Sequence, residues 1–136
     1  MVLTIDTSAL VAIERAIEQA RDFSYPGEAR LVLPVIVWAE ALIGVRLADS
    51  ALRASRRRAR LEVFRQRASL QPFTAEIAEH YADLFAELST AGQKVPQNDL
   101  AVAATARFLK TPLLVGPNDE AHFRKVPQLE VMTLAI

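Results

Sequence analysis

Five carboxylates invite a chemical reading because of where they fall: Asp6, Glu40, Asp99, Asp119 and Glu120. Asp6 closes the apolar run 2–5 and is followed by two hydroxyl residues, Thr7 and Ser8. An aspartate there can cap the next helix, yet Thr7 and Ser8 offer hydroxyls for that task and leave the carboxylate free. Glu40 is the only charged residue between Leu31 and Val45, inside VIVWAEALIGV. A helix apolar all round is a buried one, and an unpaired buried carboxylate costs several kcal/mol, roughly a domain's whole margin. Glu40 therefore needs a metal ion, or else an arginine such as Arg46. Asp99 stands in PQNDLAVAATA, where an acid in a helix first turn favours the dipole. The small residues Ala101, Ala103, Ala104 and Ala106 would let that helix lie close to a sheet. Asp119 and Glu120 sit in VGPNDEAHF, where turn chemistry alone is a sufficient account.

Brought to one place, these groups have a joint chemistry. Close carboxylates repel by about 4 kcal/mol per pair at an effective dielectric of about 20, a cost that a divalent cation removes. Oxygen-only ligands suit Mg²⁺ or Mn²⁺ rather than zinc. Such a site activates water and stabilises the leaving oxygen of an in-line phosphoryl displacement.

The elements needed to gather them can be read from periodicity. Short apolar runs at 2–5, 31–33, 70–73, 113–115 and 130–133 read as strands. Between them lie helices: one capped by Thr7 or Ser8 and broken by Tyr25-Pro26-Gly27, one from Pro34 to about residue 48, and an arginine-rich one to about 68. Thr74 caps a fourth that ends at Gly92, with Ile77, Tyr81, Leu84, Phe85 and Leu88 on its core stripe, and Asn98 opens a fifth to about 109. Strands alternating with helices predict one α/β domain over residues 1–136, its parallel sheet covered on both faces. Functional groups then belong outside the carboxyl ends of the strands, which is where Asp6 falls.

Composition narrows the classes further. The 136 residues are 51% hydrophobic, enough for a core, and contain no cysteine, which excludes disulfide and thiolate chemistry. No run approaches a membrane span, and Asp6 comes too early for a secretion signal, so the expected location is the cytoplasm. Zero net charge conceals an asymmetry: residues 53–67 hold seven arginines and one acid, leaving nine cations against fifteen acids elsewhere. Arg53, Arg56, Arg57 and Arg60 share a helix face and form either an RNA backbone clamp or a solvated or partner-binding face. Trp38 and Phe85 are expected in the core, and His122 is expected to be structural. His80 and His122 are too few for zinc, and there is no HExxH, P-loop, GxGxxG or GxSxG.

The segments IDTSALVAIE, WAEALIGV, NDLAVAATA and LLVGPNDEAHFRKVPQLEV, in this order, cover nearly the whole chain. Together they resemble the PIN-domain nucleases and, in length, the VapC toxins of toxin–antitoxin pairs. The resemblance implies a PIN-like three-layer domain, a five-stranded parallel sheet flanked by helices, with Mg²⁺- or Mn²⁺-dependent endoribonuclease activity. It also implies a homodimer neutralised by a VapB-type antitoxin. Carried over residue by residue, Asp6, Glu40 and Asp99 match the core metal ligands, and Thr7 and Ser8 match hydroxyls that orient water or phosphate. Counted back from His122-Phe123, Asp119 matches the fourth acid, with Glu120 as runner-up. Relatives carry a threonine where Gly116-Pro117 stand here, a departure that bears on a second metal and not on the first three ligands. Three other readings compete, one of them an RNA-processing PIN nuclease outside any toxin–antitoxin pair. An aspartate-based phosphatase would want an aspartate where Ser8 stands, and a non-catalytic binding module would have lost acids that are all present.

Overall fold

The computed structural model describes residues 1–25 and 28–136. In chain order the elements are β1 (Val2–Ile5), α1 (Thr7–Glu18), β2 (Arg30–Pro34), α2 (Val35–Arg46), α3 (Ala51–Arg67) and β3 (Ala68–Gln71). They continue with α4 (Ala75–Thr90), α5 (Gln97–Leu109), β4 (Leu113–Val115), α6 (Glu120–Arg124) and β5 (Val131–Thr133). The five strands form one sheet in the order β3-β2-β1-β4-β5, and every pairing is parallel. The chain winds outward from β1 to β2 and β3, then returns to the other side of β1 for β4 and β5. Strand order thus reverses at β1, and the crevice at the carboxyl ends of β1 and β4 is where an open α/β sheet presents its functional groups.

Burial follows from the sequence pattern. Leu3, Ile5, Leu33, Leu113, Leu114 and Val115 are fully buried in the sheet, as expected of parallel strands covered on both faces. Leu10 and Ile13 of α1, Leu61 of α3, Ile77 and Leu84 of α4, and Leu100 of α5 seal it. The small residues of α5 do what their size suggests: Val102, Ala103, Ala104 and Ala106 are almost fully buried, so the helix backbone lies near the strands.

Several boundaries and burials differ from the sequence reading. Helix α1 stops at Glu18, well before Tyr25, and Pro26 and Gly27 lie outside the described residues. Its end is a Schellman motif: Ala20 takes φ 51°, its N–H donates to Ile17 O (3.2 Å), and Arg21 N–H donates to Ala16 O (2.8 Å). Pro34 ends β2 and precedes α2 rather than lying within it. Strand β3 begins at Ala68, because the last turn of α3 passes directly into extended backbone there. Helix α2 is not buried all round. Only Val37, Ala41 and Val45 are buried, whereas Val35 and Ile43 are exposed and Glu40 is half-buried. Trp38 is half-buried beneath two guanidinium groups, Arg58 and Arg65, at 5.7 and 5.6 Å from its ring centroid. Phe85 is 54% exposed. In both helices the apolar stripe is wider than the surface its neighbours cover, and α4 packs chiefly on α5 rather than on the sheet.

Candidate active site

Asp6 leaves β1 at its carboxyl end and is the N-cap of α1, only 4% exposed. The capping role expected of Thr7 or Ser8 therefore falls to Asp6 itself. One oxygen, Oδ2, accepts both the Ser8 N–H (3.1 Å) and the Ser8 hydroxyl (2.6 Å), so capping and a second role need not compete. The Ser8 Oγ in turn accepts the Gly116 N–H at 2.9 Å, which commits the single hydroxyl proton to Asp6. Gly116 follows β4, and its backbone runs so near α1 that an added Cβ would lie 2.8 Å from Ser8 O. Close approach, with no positive φ involved, requires glycine here.

Thr7 faces the other way. Its hydroxyl donates to Glu40 Oε1 at 2.8 Å, joining α1 to the second turn of α2. Among the described residues Glu40 makes no ion pair, so the arginine partner considered for it is not realised. Asp99 enters from the first turn of α5. Its carboxyl is pushed up to about 6, by burial first, then by the negative charges of Asp6, Glu40 and Asp119, against an opposing pull from His122. Asp6 is likewise raised, chiefly by burial, with hydrogen bonds from Ser8 and Thr7 working against it and Glu40 adding to it.

A cavity of about 350 Å³ opens between these elements, and Asp6, Thr7, Ser8, Asp99, Asp119 and His122 are among its walls. Glu40 reaches this group through Thr7. Glu120 does not belong to it. Its Oε2 accepts from Thr133 Oγ1 (2.6 Å) and from Arg124 (3.1 Å), contacts that hold its carboxyl below the usual range. Two further wall residues escaped the sequence reading. His122 is exposed and faces the acids instead of packing as a structural residue beside the buried Phe123. Arg15 also lines the cavity and is exposed. Its signal was present: Ser8, Val11, Ala12 and Arg15 recur at the spacing of one helix face.

The four arginines singled out in α3 lie elsewhere. They line a separate groove of about 700 Å³ that shares no wall residue with the acid cavity. Arg57 is clasped to Glu14 of α1, Nε to Oε2 at 3.1 Å and Nη2 to Oε1 at 3.4 Å, and its guanidinium crosses α2 where Gly44 has no side chain to obstruct it. Arg53 pairs with Asp49 at 3.2 Å. Arg56 has no carboxylate partner among the described residues, and the Arg60 Nε is buried without a hydrogen-bond acceptor.

The donor set at the acid cavity fits a hard divalent cation. Its acids offer oxygen and no sulfur, and Asp6 and Asp99 are raised first by burial, with neighbouring carboxylates adding to it. Among the described residues no three Asp, Glu or His side chains are already gathered tightly enough to enclose an ion.

The sequence pattern of the family described as "PIN domain" matches residues 3–129. A protein named Ribonuclease VapC1, from Rickettsia felis (strain ATCC VR-1525 / URRWXCal2), is 29% identical over 135 residues, 99% of this chain and 98% of its own. A solved complex of VapBC2 from Rickettsia felis, bound to a DNA fragment from its promoter, contains a chain that superposes with a TM-score of 0.79. It is 21% identical, and 98% of each chain is covered. FitAcB from Neisseria gonorrhoeae gives a TM-score of 0.73 at 26% identity, covering 97% of this chain and 96% of that one. The family match begins inside β1, before Asp6, and ends past His122, so every acid at the central sheet edge falls within it, and the chain belongs to the PIN-domain family.

Proposed function

We propose that this chain is a divalent-metal-dependent endoribonuclease, cutting RNA phosphodiester bonds as the toxin of a VapB-type toxin–antitoxin pair. One observation carries the reading: Asp6, Asp99 and Asp119 face a single cavity, with Glu40 tied to it through Thr7. The relative named Ribonuclease VapC1 and the VapBC complexes among the structural neighbours support the activity and the kind of partner. Asp6, Glu40, Asp99 and Asp119 would hold Mg²⁺ or Mn²⁺, whose chemistry is to lower the pKa of water and neutralise charge on phosphate oxygens.

The chain's own residues prepare the rest. Ser8 and Gly116 lock Asp6 Oδ2, and Thr7 orients Glu40 by the same logic of a committed hydroxyl proton. Arg15 and His122 bring positive or protonatable groups to an otherwise acidic wall, suited to the non-bridging oxygens of a phosphodiester. The arginine groove would track the RNA backbone farther out, with Arg56 and Arg60 unclaimed by a carboxylate among the described residues while Arg57 and Arg53 are held by carboxylates. Among the described residues no helix is long and apolar enough to cross a membrane; a nuclease acting on RNA would work in the cytoplasm, and as a homodimer before its antitoxin is bound.

The direct test compares RNA cleavage in Mg²⁺ by the wild type with Asp6→Asn, Glu40→Gln and Asp99→Asn. Each variant should lose at least about 100-fold in rate, the scale of removing a preorganised charge from an active site. Equal rates in all four proteins would assign the cleavage to a contaminant and defeat the reading.

A further inference from the structure

Phe85 is misplaced for a core residue. Its spacing from Tyr81 and Leu88 puts it on the packing stripe of α4, yet it is 54% exposed. The ring forms one wall of a second cavity, about 260 Å³, completed by Leu88, Val95 and Leu100, with Gln93 and Lys94 among its polar residues. This cavity and the acid cavity share the first turn of α5: Asp99 lines one and the next residue, Leu100, lines the other. Consecutive residues stand about 100° apart around a helix, so that turn is the partition between the two. The same turn has no side-chain cap, because Pro96 occupies the N-cap position, and its N–H groups stay open to an acceptor.

We propose that the Phe85 cavity is a base-binding subsite, receiving one unpaired base of the RNA strand whose phosphodiester lies in the acid cavity. The proposal rests on the ribonuclease reading and adds to it the part of the substrate that is recognised. Four features select this occupant. The volume is below that of pockets for drug-sized ligands, which suits a single ring system rather than a peptide segment. Four of its walls, Phe85, Leu88, Val95 and Leu100, are apolar or aromatic, and no carboxylate lines it, as a stacked heterocycle wants. Lys94 supplies the charge complementary to the phosphate that enters with the base, and the Gln93 amide can donate to and accept from a base edge. The arginine groove contrasts with this, since Glu18 and Asp49 are among its walls.

The test uses the full chain in Mg²⁺ and short unstructured RNAs, each with one fluorescent purine analogue at a different position. In an Asp99→Asn background, which keeps the RNA intact, one position should be quenched on binding, and Phe85→Ala should abolish that quenching. With the otherwise wild-type enzyme, Phe85→Ala should raise KM about ten-fold and change kcat much less, and Phe85→Tyr should restore KM to within about two-fold. Because Phe85 is exposed, its truncation should leave the thermal midpoint nearly unchanged. If the wild type cuts RNA and Phe85→Ala shows the same KM and the same quenching, the subsite is overturned while the nuclease stands. A wild type that neither binds nor cuts any of the RNAs would overturn both. If Phe85→Ala instead halves the sedimenting mass, the patch is a contact between copies of the chain and the base assignment is wrong.

Discussion

A carboxylate at a sheet edge has two states to choose from, and Asp99 shows how the fold weights them. Its carboxyl is pushed up to about 6, from 3.8, by burial and by Asp6. The folded protein thus holds a proton there that the unfolded chain has already released. Between about pH 4 and 6 the native state binds more protons, so stability falls as pH rises through that window and levels off above it. We expect Asp99 to favour the metal-free protein at pH 4.5 over pH 7, an advantage that Asp99→Asn should lose. Asp99→Asn should be the more stable form at pH 7 by about 1 kcal/mol, a value discounted for the solvent that screens this half-buried group. Thermal melts in excess chelator at both pH values would check this, and an Asn variant less stable at pH 7 would contradict it. Mg²⁺ should reverse the order, since binding to the native state favours the protein that keeps its ligand.

Elements meet at this site through contacts smaller than a side chain. Gly116 follows β4 and lies against the backbone of Ser8, and a methyl group there must displace either the strand end or the start of α1. Gly116→Ala is expected to cost about 1–3 kcal/mol, as overpacking does, and to lower cleavage, because the shift separates Gly116 N from Ser8 Oγ. Urea unfolding and initial rates would report the two effects separately, and a variant unchanged in both would refute the contact's importance. The α1–α3 contact is a second such junction. Arg57→Ala should destabilise by about 2 kcal/mol, between the values for surface and buried pairs, because its partner Glu14 is only 8% exposed. Arg56, unpaired and in the same groove, should be replaceable with little change in the melting curve.

For the molecule as a whole, the separation of acids from arginines governs how RNA would lie on it. The acid cavity is at the centre of the sheet edge, and the basic groove is bounded by α1, α2 and α3. Charge reversal of Arg56 and Arg60 together should weaken RNA binding and flatten its salt dependence, each lost phosphate contact reducing the slope of log K against log salt by about 0.7 for a single strand. Titrations at several salt concentrations would measure it, and an unchanged slope would remove the groove from the RNA path.

Much of the architecture was written in the chain at short range. Strand runs such as 2–5 and 113–115, the cap at Thr74 and the stop at Gly92 depend on neighbours within a few residues, so pattern alone sufficed. The positions of Asp6 and Asp99 followed as well, because the carboxyl edge of a parallel sheet is implied by alternating strands and helices. Other outcomes needed distant partners. Ala20 and Lys110 end their helices in the left-handed region without being glycine, since the surrounding contacts outweigh a local penalty of about 1–2 kcal/mol. Between Asp119 and Glu120 the sequence offered only a count back from His122-Phe123, because two adjacent acids in a turn differ only in what they face; in the fold Thr133 and Arg124 draw Glu120 away. Likewise Arg57 became a strut and Phe85 a wall, depending on whether another element came close enough to claim them. Residue type and spacing determined which groups this protein can offer. Packing between segments far apart in sequence decided which of them meet.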